Sequence, residues 1–374
     1  MFENKTVNNV QADLLATISD VYEKKAGYLI YELTRSFAIA ESDIYLVLEK
    51  LFNKLDVNNL TGDELTKYVL QRKGIVRKAA TYAKAILTVT GIGFINTGDL
   101  FATSAGIQFK SLENKTINGA DTILAQAVLA GVTGNVPAGT ITQMPITLAG
   151  ISGVTNNEKG YDGYDSESDD SLRTRYYDAL RKPVTGSNKN SYIAWAKSRP
   201  GVGNAICYPL WNGDNTVKVI IVDSNNQPAS EDIVQDVQEY IDPKGTYDSN
   251  TGVWSTWGTG TGEAQIGVYC TVESAVAKTI DIKVKVIKTS SNYTDEEIIE
   301  SIKEGLCTYF SSVALNTDNN YISFAREGNI LLQTPGISDY ESNTLEVNNG
   351  QENIILNLTA LLTEVPVVGT VTLL

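Results

Sequence analysis

The stretch from Gly160 to Trp211 reads GYDGYDSESDDSLRTRYYDALRKPVTGSNKNSYIAWAKSRPGVGNAICYPLW. An acidic cluster leads into an arginine-bearing helical pattern, then an aromatic one, then Arg199-Pro200-Gly201-Val202. Ser168 stands where a helix N-cap stands, and Asp169 and Asp170 fill the first turn, where the helix dipole favours anions. Leu172, Tyr176, Ala179 and Leu180 follow at helical spacing as a buried face, and Pro183 ends the helix. Arg173, Arg175, Arg181 and Lys182 lie off that face, which leaves them to solvent or to an acidic partner surface. A second helix over Ser191 to Ser198 turns Tyr192 and Trp195 inward, and strands follow near Ala205 to Tyr208 and Val217 to Val222.

A shortened echo of this run appears near the other end of the chain. Tyr321-Ile322-Ser323-Phe324-Ala325-Arg326 resembles Tyr192-Ile193-Ala194-Trp195-Ala196-Lys197, and Pro335-Gly336-Ile337 resembles Pro200-Gly201-Val202, with a longer gap before the second Pro-Gly. Two related α/β units explain the recurrence, each a sheet with helices segregated on one face. The first unit continues into an amphipathic helix from Ser230 to Ile241, with Ser230 as its cap and Ile233, Val234, Val237, Tyr240 and Ile241 on one face. In the second, Ile280, Ile282, Val284 and Val286 alternate with Asp281, Lys283 and Lys285 as a half-buried strand. Thr294-Asp295-Glu296-Glu297 is a capping box for a helix that buries Ile298, Ile299, Ile302, Leu306, Tyr309 and Phe310. The stretch from Val365 to Thr372 reads as an edge strand, since it contains Pro366.

Towards the start, apolar residues recur at helical spacing from Gln11 to Tyr22, with Leu14, Leu15, Ile18, Val21 and Tyr22, and Gly27 breaks the pattern. A longer helix follows from about Tyr28 to Lys54, carrying Leu33, Phe37, Ile44, Leu48 and Leu51 on a wide arc. Such a length and arc predict packing against more than one neighbour, another chain included; a cap on the chain's own core is the alternative. A short helix over Asn58 to Lys73 stops at Gly74. From Thr81 to Ala149, β-branched residues and frequent turn signals predict a small β domain. The fold class is therefore α+β: N-terminal helices (1–80), a small β domain (81–158), and two related α/β units (159–262 and 263–374) with helices packed on antiparallel or mixed sheets.

Composition excludes several functions. With 374 residues and 42% hydrophobic content, the chain holds more than one core. Thirty basic residues against 44 acidic leave a net charge of −14, which repels phosphate backbones and anionic lipid, so neither nucleic acid nor membrane is an expected partner. There is no histidine, which removes the commonest general base and zinc ligand together. Cys207, Cys270 and Cys307 are widely spaced in apolar segments and read as buried thiols rather than a disulfide framework or zinc site. No charged leader is followed by an apolar run, and none approaches the roughly 18 apolar residues of a membrane span, so synthesis in the cytoplasm is expected. The acidic cluster lacks the spacing of a calcium loop, and Gly258, Gly260 and Gly262 match no phosphate-binding loop. Trp254 and Trp257 sit in the glycine- and threonine-rich stretch from 242 to 262 and read as exposed loop residues suited to a protein contact. No catalytic residue, metal site or cofactor is assigned.

Several of these segments occur together in one known family. Thr61-Gly62-Asp63-Glu64-Leu65, the Arg72 to Arg77 segment around Gly74, Val136-Pro137-Ala138-Gly139-Thr140, Gly150 to Asn156, Glu167 to Arg175, Trp195-Ala196, Pro200-Gly201-Val202 and Val365-Pro366 follow one another in an order that resembles the baseplate J-like family. These are wedge proteins of contractile phage tails and of related particles such as R-type bacteriocins. The resemblance covers most of the chain; it departs around Gly91 to Gly98, where the β domain is short, and in the Trp254 to Gly262 loop. It implies a structural baseplate component made in the bacterial cytoplasm and incorporated into the particle, and not an enzyme. Two copies in non-identical conformations would join a second wedge protein, and six wedges would ring the hub and spike beside the sheath initiator. The N-terminal helices would enter an inter-chain bundle, which marks Leu33, Phe37, Ile44, Leu48 and Leu51 as candidate assembly residues beside Arg173, Arg175, Trp254 and Trp257, read above as open to a partner, and the C-terminal α/β region (263–374) would make the dimerisation and wedge-to-wedge ring contacts. Two alternatives belong to other classes: a histidine-free carbohydrate-active enzyme pairing Asp165 with Asp169, and a receptor-binding tail protein using Trp254 and Trp257.

Overall fold

The computed structural model describes residues 4–181, 186, 188–289 and 293–374. Lys182 and Pro183, the latter read above as a helix stop, lie outside the described residues. The chain divides into two compact bodies: residues up to Arg77 together with Ser168–Tyr177, and Lys78–Glu167 together with Asp178–Leu374.

The first body is helical, comprising α1 (Val7–Thr17), α2 (Leu29–Asn53), α3 (Gly62–Lys73) and most of α4 (Asp169–Arg181). Helix α1 is capped by Thr6 and stops at Thr17, earlier than the apolar spacing predicts. The Thr17 hydroxyl donates to the Leu14 carbonyl, Ile18 turns extended, and Ser19 Oγ accepts from the Val21 N–H. These local side-chain bonds compete with the helical ladder, so Val21 and Tyr22 end up exposed outside the helix. Gly27, at φ +92°, makes the expected break before α2. Helix α3 closes on Gly74 in the left-handed region, whose N–H donates 2.8 Å to the Leu70 carbonyl. Val57, Leu60, Leu65 and Val69 pack with Leu172 and Tyr176 of α4. The first turns of α4 thus share the core of the N-terminal helices rather than that of the first α/β unit. On the same helix, Ala179 is half-buried and Leu180 exposed, so the buried face is shorter than the sequence pattern predicts.

The second body opens with six strands: β1 (Lys84–Ile95), β2 (Leu100–Thr103), β3 (Gln108–Ser111), β4 (Lys115–Ala127), β5 (Ile141–Gln143) and β6 (Ile151–Asn156), ordered β5-β2-β3-β4-β1-β6. They curl round one apolar core that includes Leu87, Val89, Phe101, Phe109, Ile117 and Ile123. Gly91 and Gly119 face each other across the β1–β4 ladder, at φ +139° and +100°. Lys115 Nζ reaches Asp121 at 2.9 Å, six residues along the same strand, a stretch that would span about 20 Å if straight. The ladder therefore folds sharply at that glycine pair. Between β5 and β6, the fully buried Asn156 side chain supplies the bonds that strand pairing omits. Its Oδ1 accepts from the Ile141 N–H at 2.8 Å, and its Nδ2 donates to the carbonyls of Pro137 and Glu158.

The first α/β unit contains α5 (Lys189–Ser198), β7 (Val202–Pro209), β8 (Thr216–Asp223), α6 (Glu231–Ile241), the short hairpin β9 (Tyr247–Asp248) and β10 (Val253–Trp254), and β11 (Tyr269–Ser274). Its sheet is ordered β11-β8-β7, with β8 antiparallel to β7 and parallel to β11. Since β11 begins beyond residue 262, this unit extends further along the chain than the sequence boundary placed it. The second unit contains β12 (Val276–Val284), β13 (Val286–Lys288), α7 (Asp295–Val313), β14 (Tyr321–Ile322), α8 (Phe324–Gln333), β15 (Ile337–Tyr340), β16 (Glu346–Val347), β17 (Ile354–Ile355) and β18 (Glu364–Leu373). The run β12–β13 is its central line, antiparallel to β16 and β15 and parallel to β18, which lies at the sheet edge as Pro366 suggests. Thr294 and Glu297 make the capping box of α7.

The two units are related, but not in the register that the sequence echo suggests. Tyr321 and Ile322 form a strand, whereas Tyr192 and Ile193 are helical. The match holds when α5 is laid on α8: each has 10 residues, and one capping residue then separates it from Pro-Gly and the following strand. The Arg199 N–H donates to the Ala196 carbonyl and the Thr334 N–H to the Leu331 carbonyl, both at 3.1 Å. Gly201 and Gly336 follow at φ +81° and +92°. The order of parts differs as well. In the first unit this helix–turn–strand precedes the central strand and its helix α6, whereas in the second it follows the central strand and α7, a permuted arrangement of one sheet plan.

Candidate interaction surfaces

The two faces of α2 have opposite character. Thr34, Ala38 and Ser42, spaced four apart, are the buried residues and receive α1. Small side chains let the helices approach closely enough for cross-bonds: Gln11 Nε2 donates to the Tyr31 carbonyl, Arg35 donates to Asn8 and Gln11, and Ser42 Oγ to the Lys5 carbonyl. The large apolar side chains point elsewhere. Leu33, Phe37, Ile44, Leu48 and Leu51 are all exposed, Phe37 by 68% and Ile44 by 59%, and Leu29 and Val47 flank them on the same side of the helix. These side chains form an exposed apolar stripe along α2, opposite the line of small residues that receives α1.

The arginines of α4 do not stand free in solvent. Arg173 donates to the carbonyls of Val57 and Leu60, which end the segment before α3, and pairs with Asp170 at 2.6 Å; its side chain is only 16% exposed. Arg175 donates to the Val76 carbonyl. Both close the helical body because the carbonyls they reach come from a distant part of the chain, a proximity that local spacing does not reveal.

The tryptophans are half-buried rather than displayed. Trp257 Nε1 donates 2.9 Å to the Cys270 carbonyl and its ring meets Tyr269 edge-on, while Trp254 on β10 stacks at 5.0 Å against Tyr247 of the paired strand. Lys244 lies over both indoles. The stretch after α6 is thereby pinned to the sheet, chiefly by Asp242. This fully buried carboxylate accepts from the Gly258 and Cys270 N–H groups at 3.0 and 2.8 Å, and burial raises its pKa. Gln238 completes the joint, donating to the carbonyls of Asp242 and Cys270 and accepting from the Val272 N–H.

The acidic cluster is dispersed into separate structural contacts. Asp162, at φ +60°, accepts from the Ser230 hydroxyl at 2.7 Å, and burial raises its pKa. Tyr164 donates to the buried Asp223 at 3.0 Å, and Lys84 pairs with Asp232 at 2.6 Å; together these tie the barrel to the first α/β unit. Asp165 accepts from the Val132 N–H, whereas Asp169 takes the Gly62 N–H and Arg77, which hold its carboxyl below the usual range. Ser168 caps α4 as its position suggests. Among the described residues no group of three or more Cys, Asp or Glu is gathered as a metal ion requires. Cys207 and Cys270 are buried, and burial pushes the Cys207 thiol up to about 11, but Cys307 is exposed on α7, contrary to the buried position expected of it. No helix among the described residues is long and apolar enough to cross a membrane.

Sequence logic missed Asn156, Gln238, Asp242 and Glu327. The first three act through partners far along the chain. Glu327 carried a visible signal, since it occupies the inward line of α8 with Leu331.

The chain is α+β, with N-terminal helices, a barrel-like β domain and two α/β units. Comparison with known proteins gives the family. Residues 86–163 match the baseplate J-like protein barrel domain, 184–274 the baseplate J-like central domain, and 280–374 the baseplate J-like protein C-terminal domain. The chain belongs to the baseplate J-like family. It is similar over its whole length to the protein YqbT of Bacillus subtilis (strain 168), at 29% identity covering 100% of this chain and 99% of that one. The phage-like element PBSX protein XkdT of the same organism is also 29% identical, covering 96% and 95%. Baseplate protein gp47 of Escherichia phage Mu is 32% identical over 178 residues, 45% of this chain and 49% of that protein.

Proposed function

We propose that this chain is a structural wedge component of the baseplate of a contractile tail or tail-like particle, with an assembly role rather than a catalytic one. Two copies in non-identical conformations join a second wedge protein, and the wedges close into a ring round the hub and spike, next to the sheath initiator. The family supports a baseplate role, and the relatives in phage Mu and the PBSX element point to a phage or prophage particle. The observation that carries the reading is the outward apolar face of α2, which a helix of a partner chain would cover. Fully covering a Leu or Phe side chain contributes about 1.5–3 kcal/mol, and with these residues 41–68% exposed the five anchors supply a gain of the same order as the roughly 4–15 kcal/mol lost on association.

The test is co-expression with the adjoining wedge protein, followed by mass measurement by light scattering. The wild-type chain is expected to form a defined complex. A variant with Leu33, Phe37, Ile44, Leu48 and Leu51 all changed to Gln is expected to stay monomeric with an unaltered circular dichroism spectrum. A variant that assembles as well as wild type overturns the reading. Purified protein should neither cleave glycans nor bind cells; glycan cleavage abolished by Asp165→Asn and Asp169→Asn would restore the enzymatic alternative.

A further inference from the structure

Glu327 is the fourth residue of α8 and is 1% exposed. It lies on the inward line of a helix that seats Leu331 and Ile330 against the core of the second α/β unit, with Leu306, Phe310, Ile322 and Ile337. Among the described residues neither of its carboxylate oxygens has a hydrogen-bond partner. Tyr309 on α7 faces Glu327, with Arg326 and Tyr321 near the same tyrosine, and Tyr340 on β15 lies against the adjoining Gly328. Tyr309 turns its hydroxyl to accept from the Ser323 N–H at 2.8 Å. Tyr340 sets its hydroxyl against Gly328, where a Cβ would otherwise sit. The Arg326 guanidinium lies over the Tyr309 ring at 5.6 Å and forms no ion pair with Glu327.

A carboxylate without a donor is far more costly to bury than a neutral carboxyl. Burial accordingly pushes Glu327 up to about 8. Moving the short helix that carries it would bring the charged form to water. Helix α8 has 10 residues, is preceded by the two-residue β14, and ends at Pro335-Gly336, where φ is +92°. We propose that Glu327 is a proton-dependent latch on α8: neutral, it lets the helix seat against α7 and β15; charged, it drives the helix outward about the Pro335-Gly336 turn. This inference does not depend on the baseplate reading.

The direction follows from linkage. In the seated helix the carboxyl keeps its proton up to about 8, whereas in the released helix it gives the proton up near its ordinary 4.5. The latch is therefore complete below about 4.5 and is lost as pH rises to about 8, beyond which both states are ionised. Hydrogen exchange of the α8 amides in the full chain, expressed as protection relative to an E327Q variant, tests it. Wild-type protection is expected to fall about tenfold per pH unit relative to E327Q between about pH 5 and 8, then level off. A ratio independent of pH overturns the latch. Should E327Q fail to fold, carbon-detected titration of the Glu327 carboxyl in the native protein, read beside the protection factors of the wild-type α8 amides, decides: a midpoint raised above 4.5 through which α8 protection is lost supports the proposal, and a midpoint near 4.5, or a raised one with α8 protection unchanged, overturns it.

Discussion

The two α/β units share one sheet plan yet treat buried polarity in opposite ways. In the first, Asp242 and Gln238 are buried with their bonding capacity used on the backbone of β11 and of the tryptophan stretch. In the second, Glu327 is equally buried and holds nothing. Overlaying the helix–turn–strand segments places Tyr192 where Glu327 stands, both 1% exposed and both fourth in their helices. At that place the first unit carries an aromatic ring, edge-on to Trp195 at 5.0 Å, and the second a carboxyl. One architecture thus supports a stapled version and a releasable one, and the difference lies in where the polar atoms find partners rather than in the strands themselves.

Substitutions can break this contrast, and the largest effect is expected in the stapled unit. Asp242→Ala orphans two buried N–H donors and should cost about 4 kcal/mol, read as a lowered urea midpoint together with exposure of Trp257 fluorescence. Gly336→Ala comes next. A Cβ there must tolerate φ +92° and approach the Tyr293 ring at 2.8 Å, for about 2–3 kcal/mol. Gly201→Ala meets only the flexible end of Ile233 at 3.0 Å and should cost about 1–2 kcal/mol by the same denaturation assay. Glu327→Leu reverses the sign, since removing an unpartnered carboxyl should stabilise the chain, with a larger gain at pH 8 than at pH 5 by the same denaturation assay. The smallest change is Arg199→Ala. The guanidinium pairs with Asp236 at 2.5 and 2.7 Å and lies 4.9 Å from the Tyr240 ring, but it is partly exposed, so about 0.5–1 kcal/mol is expected. Equal costs for Asp242→Ala and Glu327→Leu would erase the contrast.

What the sequence disclosed was whatever depends on near neighbours. Ser230, Thr294 with Glu297, Gly74 and the Ile280–Ile282–Val284 alternation each act within a turn or a strand, and each appears in the fold as its spacing indicates. The wide apolar arc of α2 was legible for the same reason. Failures came where a distant carbonyl or amide settles the outcome. Arg173 seemed solvated because nothing local marks Val57 and Leu60 as its acceptors, and Trp257 seemed exposed because Cys270 lies beyond its loop. The echo was seen but misregistered, because matching side chains drew Tyr321 onto Tyr192. The Pro-Gly turn, where backbone geometry leaves little choice of residue, was the truer anchor.

The last strand of the chain has a mechanical consequence. Strand β18 runs parallel to β12, whose first residue follows directly on the chain from the first unit's sheet, and Val276 pairs with Glu364 while Val284 pairs with Leu373. A pull applied at Leu373 against an anchor at Val276 is directed along the strands from opposite ends. Every ladder bond is then strained at once instead of parting one after another, so the tail end of the chain resists traction in shear, while a sideways peel from Leu373 would open the same ladder bond by bond.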